Sequence, residues 1–126
     1  MNFPENLKYT RDHEWISLQG NVGTVGVTDY AQGELGDVVF VDVDPNKKNI
    51  KAGESIGTIE AVKTVSDIFA PCGGKVIEVN PALQSTPEVV NSDPYGTGWM
   101  VKIELSNPSE LDALLDSKAY KELIGK

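Results

Sequence analysis

Apolar and β-branched residues along this chain come in short runs, broken at close intervals by glycine, proline and asparagine. The breaks fall at Gly20-Asn21, Gly33, Gly36, Pro45-Asn46, Gly53, Pro71, Gly73-Gly74, Asn80-Pro81 and Pro94-Tyr95-Gly96. Runs of this length between turn residues predict many short strands, as in a sandwich or barrel. The pattern places strands over residues 10–18, 21–27, 38–43, 55–60, 65–69, 75–79 and 99–105. Between the second and third, residues 29–35 read as a helical turn capped by Thr28 and ended by Gly36. After residue 105 the period changes. Asn107 is set to cap a helix, with Pro108 at its first position and Glu110 completing a capping box. A second start at Ser117 puts Tyr120, Leu123 and Ile124 on one stripe, so residues 107–125 read as one broken helix or two short ones. Covering the sheet and, as an amphipathic helix, binding a partner both fit that stripe, with covering the sheet the better fit.

The strands repeat. Val22-Gly23-Thr24-Val25 is echoed by Ile56-Gly57-Thr58-Ile59, and Val27-Thr28-Asp29 by Val65-Ser66-Asp67. Each copy leads into a matching strand, Gly36-Asp37-Val38-Val39 in the first and Gly74-Lys75-Val76-Ile77 in the second. Two β halves sharing one core follow, each supplying a hairpin-like unit. Only the joint differs: Gly26 alone joins the echoed segments in the first copy, while Glu60, Ala61, Val62, Lys63 and Thr64 stand there in the second. A longer joint lengthens a turn and carries its side chains into solvent. Lys63 is thereby singled out as a presented lysine.

Composition narrows the chemistry. At 126 residues, 40% of them hydrophobic, the chain reads as a single domain over 1–126 with its core over about 10–105. Nineteen acidic against eleven basic side chains give a net charge of -8, which repels nucleic-acid backbones and leaves solubility or steering toward basic partner clefts as its uses. No apolar run approaches the ~20 residues of a membrane span, and Met1-Asn2-Phe3-Pro4-Glu5 lacks signal-peptide character. The single cysteine, Cys72, excludes an internal disulfide and reads as a tolerated thiol in a turn rather than a reactive one. His13 is the only histidine, so no multi-histidine metal site exists, and it reads as a structural strand residue with one hydrogen-bond partner. Trp15 and Trp99 fit core packing better than partner anchoring.

An exposed lysine, with an ordinary pKa of about 10.4, is a poor nucleophile unless burial or nearby cations lower that value. A turn tip offers neither, which disfavours Schiff-base or general-base work and leaves modification by another protein, or plain solvation, as the readings of Lys63. No coherent set of acid, base and nucleophile points to an enzyme.

Over nearly its whole length the sequence resembles the H proteins of the glycine cleavage system. The matching pieces are Leu7-Lys8-Tyr9, His13-Glu14-Trp15, Gly26-Val27-Thr28-Asp29, Leu35-Gly36-Asp37-Val38-Val39-Phe40-Val41, Glu60-Ala61-Val62-Lys63, Ser66-Asp67, Gly74-Lys75-Val76-Ile77-Glu78-Val79-Asn80, Asn91-Ser92-Asp93-Pro94-Tyr95 and Gly98-Trp99-Met100. That family usually reads Glu-Ser-Val-Lys-Ala at the turn, where Ala61 and Thr64 stand here. The resemblance implies an all-β-dominated, two-halved lipoyl/biotinyl-type barrel-sandwich hybrid with short C-terminal helices. It implies lipoic acid in amide linkage to Lys63, with Glu60 and Gly74 helping a lipoyl ligase or transferase to recognise the turn.

Three enzyme partners are implied as well: a pyridoxal-phosphate glycine decarboxylase (P protein), a folate-dependent aminomethyltransferase (T protein) and a dihydrolipoyl dehydrogenase (L protein). The carrier takes an aminomethyl group from the first to the second and electrons to the third, and is itself no enzyme. Water attack on the loaded arm would release ammonia, so a sheltering cleft is useful; the resemblance places Glu14 and Asp67 beside it, with Asp12 as a third candidate. Plain surface solvation is the alternative for these acids. A monomer in a bacterial cytosol is expected, or in the mitochondrial matrix if the source is eukaryotic. A lipoate reservoir that donates lipoyl groups to other complexes is the competing function. A swinging-arm domain of an oxoacid dehydrogenase or a biotin carrier fits less well, because no long linker or catalytic domain is expected in this chain, and Val62 and Thr64 stand where biotin carriers usually have methionines.

Overall fold

The computed structural model describes residues 3–125; the reading made at Met1 and Asn2 lies outside them. Among the described residues eight strands form two antiparallel sheets. Strands β1 (Lys8–Tyr9), β2 (Glu14–Gln19), β3 (Val22–Val27), β7 (Gly74–Val79) and β8 (Val101–Leu105) make a five-stranded sheet in the order β1-β2-β3-β8-β7. Strands β4 (Val38–Val43), β5 (Ser55–Ala61) and β6 (Val65–Phe69) make a three-stranded sheet in chain order. Inward residues of both sheets meet in one apolar core: Ile16, Val25, Val101 and Ile103 from the first, and Val41, Ile56, Ile59 and Ile68 from the second. Burial of these side chains drives the association of the sheets.

The sequence echo becomes a swap of sheets. The first copy starts in the five-stranded sheet at β3 and crosses to the three-stranded sheet at β4, whereas the second starts in the three-stranded sheet at β5 and β6 and crosses back at β7. The copies are not two matching hairpins, which corrects that expectation. Val65-Ser66-Asp67 opens strand β6, but its echo Val27-Thr28-Asp29 ends β3 and starts helix α1 (Asp29–Leu35). Local chemistry decides between them. Thr28 accepts a hydrogen bond from the Ala31 N–H, and Tyr30-Ala31-Gln32 sustains the helix, which Gly36 closes at φ +82°. After Asp67 the chain runs Ile68-Phe69 into Ala70-Pro71, which favours an extended strand.

Two other boundaries moved. The strand expected over residues 10–18 shortens to β2, with β1 forming before it outside the expected range, because the Thr10 hydroxyl accepts from the N–H groups of Asp12 and Glu14 and folds residues 10–13 into a turn. His13 therefore lies in that turn at φ +68°, not in a strand. Two single-turn helices, α2 (Ala82–Ser85) and α3 (Val89–Ser92), occupy a stretch read from sequence as loop.

At the C-terminal end a 3-10 helix spans Pro108–Ala113 and helix α4 spans Ser117–Ile124. Asn107 caps the first as expected, but Glu110 does not complete a capping box; its carboxylate accepts from the Gly73 N–H at 2.9 Å. Asp116, rather than Ser117, caps α4. Leu123 is exposed, and Tyr120 carries the apolar face by packing among Phe3, Leu7, Tyr9 and Trp15. Its ring stacks on Tyr9 with centroids 4.8 Å apart, so the tail covers β1. Trp15 is buried, while Trp99 is half-buried beneath the Lys102 ammonium. No helix among the described residues is long and apolar enough to cross a membrane.

Two glycines test this account in opposite directions. A Cβ on Gly57 would strike the Asp42 carbonyl of the neighbouring strand, whereas Gly33 lies in α1 with open space around it. Gly57→Ala is expected to lower unfolding free energy by about 1–3 kcal/mol through overpacking. Gly33→Ala is expected to raise it by about 0.5–1 kcal/mol through helix propensity. Urea unfolding of both variants checks the pair.

Candidate functional site

Lys63 stands in the turn between β5 and β6, where the Ala61 N–H donates to the Thr64 carbonyl at 2.8 Å and closes the hairpin. Among the described residues only His13 and Asn49 are non-glycines with positive φ, so Val62 and Lys63 turn the chain without left-handed backbone. The turn does not float free. The Val62 N–H donates to the Asp37 carbonyl at 3.0 Å, tying it to the junction between α1 and β4. At that junction the lysine stem passes Gly36, its Cδ lying 3.6 Å from where a Cβ would sit, an ordinary contact distance. Asn91 on α3 holds the junction together: its amide donates to the Gly36 carbonyl at 2.9 Å and to Gln32 at 3.1 Å, and its oxygen accepts from the Val38 N–H at 2.9 Å. Lys63 is exposed, with its hydrocarbon stem passing beside Gly36.

Beside this junction a groove of about 340 Å³ runs between α1, β6 and the turn preceding β2, lined by Asp12, His13, Glu14, Tyr30, Leu35 and Asp67 among others. Val27, Ala31, Leu35 and Ile59 give it apolar walls. The three acids named from sequence meet here but differ in kind. Asp12 and Asp67 are exposed. Cross-strand pairing sets Asp67 in one row with Thr58 and Asp42 on the solvent side of the three-stranded sheet, and its carboxylate accepts from the Ser55 hydroxyl at 3.3 Å. It sits at the rim.

Glu14 is only 2% exposed. One carboxyl oxygen accepts from the Thr10 hydroxyl at 2.8 Å, and the other from the Phe69 N–H at 3.1 Å, so the group bridges β2 to the edge strand β6. Burial dominates its titration and pushes the pKa up to about 8, against the lowering effect of those two hydrogen bonds. The solvated-surface reading of Glu14 is thereby replaced by a buried acid that is largely neutral at neutral pH.

The opposite wall is held from a distance. His13 Nδ1 and the Thr28 hydroxyl both lie 2.8 Å from the Tyr120 hydroxyl, so α4 fastens the turn that carries Glu14 to the start of α1. Burial lowers the His13 pKa, outweighing the opposing effect of Asp12 and Glu34. Of the two residues expected to aid recognition of the turn, Glu60 is exposed next to it and pairs with Val65. Gly74 lies past the far end of β6, about 17 Å of strand away at ~3.3 Å per residue. There its backbone, at φ +152°, approaches the Glu104 carbonyl too closely for a side chain. Sequence reasoning assigned no role at the site to Asn91 or Thr10, and gave Tyr120 only a place on the apolar stripe of the tail. All three act through hydrogen bonds to residues far along the chain or across a turn, which periodicity does not register.

A family model described as glycine cleavage H-protein matches residues 7–126. The chain belongs to the glycine cleavage H-protein family. It is 56% identical over 124 residues to the glycine cleavage system H protein of Bacteroides fragilis, covering 98% of each chain. It is 56% identical over 119 residues to that of Symbiobacterium thermophilum, covering 94% of this chain and 93% of the relative. The crystal structure of a glycine cleavage system H protein from Mycobacterium marinum superposes with a TM-score of 0.89 at 37% identity, covering 98% of this chain and all of that one. The two sheets are those of the lipoyl barrel-sandwich fold. Members of the H-protein family are the lipoyl carriers of the glycine cleavage system.

The buried carboxyl gives a signed prediction. Folded Glu14 holds its proton to about pH 8, while the unfolded chain releases it near the ordinary value of 4.5. Folding therefore takes up a proton between those values, and the stability that neutral Glu14 contributes is lost as pH rises through the window. Glu14→Gln keeps a neutral group of the same shape. Its Tm is expected to fall less than that of the unaltered protein between about pH 6 and about pH 9. Equal falls in calorimetry would show that Glu14 titrates as an ordinary surface acid.

Proposed function

We propose that this chain, as one lipoyl-carrier domain, bears lipoic acid in amide linkage to Lys63. In this reading it serves the glycine decarboxylase, the aminomethyltransferase and the dihydrolipoyl dehydrogenase of the glycine cleavage system in turn. The observation that carries the reading is the placement of an exposed lysine on an anchored turn, its stem against Gly36, beside a groove with apolar walls and an acid at its end. That groove fits an aliphatic arm ending in a cation. Burial of each methylene stabilises the arm by ~0.8 kcal/mol.

When attached, the lipoyl group supplies a sulfur that accepts and releases an aminomethyl unit and a dithiol that gives up electrons. The chain contributes position. Gly36 and the Val62 to Asp37 bond fix where the arm begins, and Val27, Ala31, Leu35 and Ile59 exclude water along the groove. Glu14 is the acid we assign to the bound ammonium: a cation in the groove favours the carboxylate over the acid and draws the proton off. Asp67 and Asp12 lower the potential at the rim. Glu60, exposed next to the turn, is the residue we assign to recognition by the lipoylating enzyme, and Gly74 serves the β7 ladder at the far end of the sheet. Three enzymes meeting one arm see it at a raised effective concentration without any catalytic group in this chain.

Intact mass spectrometry after incubation with a lipoate ligase, lipoate and ATP is expected to show one lipoyl amide, absent in Lys63→Arg. An increment retained in Lys63→Arg places the modification elsewhere. For the sheltering acids, Glu14→Gln and Asp67→Ala are expected to release ammonia from the loaded carrier about fivefold faster, the equivalent of ~1 kcal/mol of ion pairing. Unchanged release in both variants removes these acids from the role.

A further inference from the structure

The turn before β2 holds its acid through one side chain. Thr10 is buried at the start of that turn, and three hydrogen bonds tie it to Glu14: its N–H donates to the Glu14 carbonyl at 2.9 Å, its hydroxyl accepts from the Glu14 N–H at 3.1 Å, and the same hydroxyl donates to Glu14 Oε1 at 2.8 Å. The Asp12 N–H reaches that hydroxyl as well, at 3.2 Å. A hydroxyl has one proton and two lone pairs. With both lone pairs taken by backbone N–H groups, its proton can go only to Glu14. The Phe69 N–H fills Oε2, so each carboxyl oxygen accepts from a fixed donor and the group's own proton lies on a lone pair outside both bonds. A bound ammonium can therefore take that proton's place without breaking either bond.

We propose that Thr10 is a positioning residue for the sheltering acid, its hydroxyl holding the Glu14 carboxyl in the groove and donating to it when the ammonium-ended arm of the loaded carrier is bound there. The inference rests on the reading that Glu14 holds that ammonium. Of the two donors to the carboxyl one is a backbone group, so Thr10 is the side chain that tunes the acid. Burial disfavours charged Glu14, and the Phe69 and Thr10 bonds oppose it. The other titratable groups lining the groove are Asp12 and His13 in the turn, Tyr30 and Glu34 on α1, and Asp67 on β6, with Tyr120 of α4 bonded to His13 behind the turn. Asp12 disfavours the carboxylate further, by like charge. Arg11 lines a different depression, with Pro71 and Leu114, and Lys63 loses its charge on acylation.

The test uses lipoylated carrier loaded by glycine decarboxylase with glycine and then freed of the enzyme. Ammonia release is followed between about pH 5 and about pH 9 in the unaltered protein, Thr10→Val, Thr10→Ser and Glu14→Gln. Dividing the Glu14→Gln rate by each other rate at each pH removes the arm's own pH dependence and leaves the protection that ionised Glu14 gives. In the unaltered protein that protection is expected to rise from about one to about fivefold as pH passes upward through one midpoint. Thr10→Val keeps the shape and loses the hydroxyl. It is expected to move the midpoint up by about one pH unit, because losing a hydrogen bond to the carboxylate favours the acid. Thr10→Ser is expected to restore it. A purely structural Thr10 would lower protection at every pH and leave the midpoint in place. An unmoved midpoint in Thr10→Val, or an equal shift in Thr10→Ser, overturns the positioning role while the sheltering reading stands. No protection at any pH in the unaltered protein overturns the sheltering reading, and the positioning role with it. Should Thr10→Val not fold, the unaltered protein carries the test: the Thr10 hydroxyl proton is expected as a discrete magnetic resonance that moves with the titration of the Glu14 carboxyl carbon. A hydroxyl that does not follow that titration overturns the role.

Discussion

The hydrogen bond from the Val62 N–H to the Asp37 carbonyl, made where the lysine stem passes Gly36, is the constraint on which the rest of this structure depends. A two-stranded hairpin tip left in water is marginal on its own. Pinned at Asp37, the β5–β6 turn is tied to α1, β4 and α3, because Asn91 of α3 bonds to Gln32, Gly36 and Val38. A side chain mounted there has a fixed origin and a mobile end, which is what a carrier of reactive groups requires.

The groove is a contest between solvation and charge. Glu14 is taken out of water by the sheet junction and held by Thr10 and Phe69, and burial outweighs both hydrogen bonds in setting its proton affinity. A neutral acid in an apolar groove costs less to keep than a carboxylate would. Exposed Asp67 and Asp12 face ordinary solvent, where screening limits what either contributes. The site thus grades from a wet acidic rim to a dry acid at its end.

Much of this was legible in the chain. Turn residues and β-branched runs marked seven of the strands, with β4 and β6 bounded as found, because period and punctuation are local signals. The unequal joint in the internal echo pointed to the Lys63 turn for the same reason. What escaped depends on distant partners. Whether the Val27-Thr28-Asp29 segment becomes helix and Val65-Ser66-Asp67 strand turns on the residues that follow, so the echo misled about two equal hairpins. Burial of Glu14 could not be read from its neighbours, since it arises where β2 meets the edge of β6, fifty-five residues away. Asn91 and Tyr120 act across similar separations, and no spacing rule finds such residues.

The central claim is that the lysine turn is anchored rather than free, and amide hydrogen exchange at Val62 tests it most directly. Exposed by its side chain yet bonded through its N–H, Val62 is expected to exchange as slowly as the strand amides of β5. Exchange at the rate of an open chain would contradict the account.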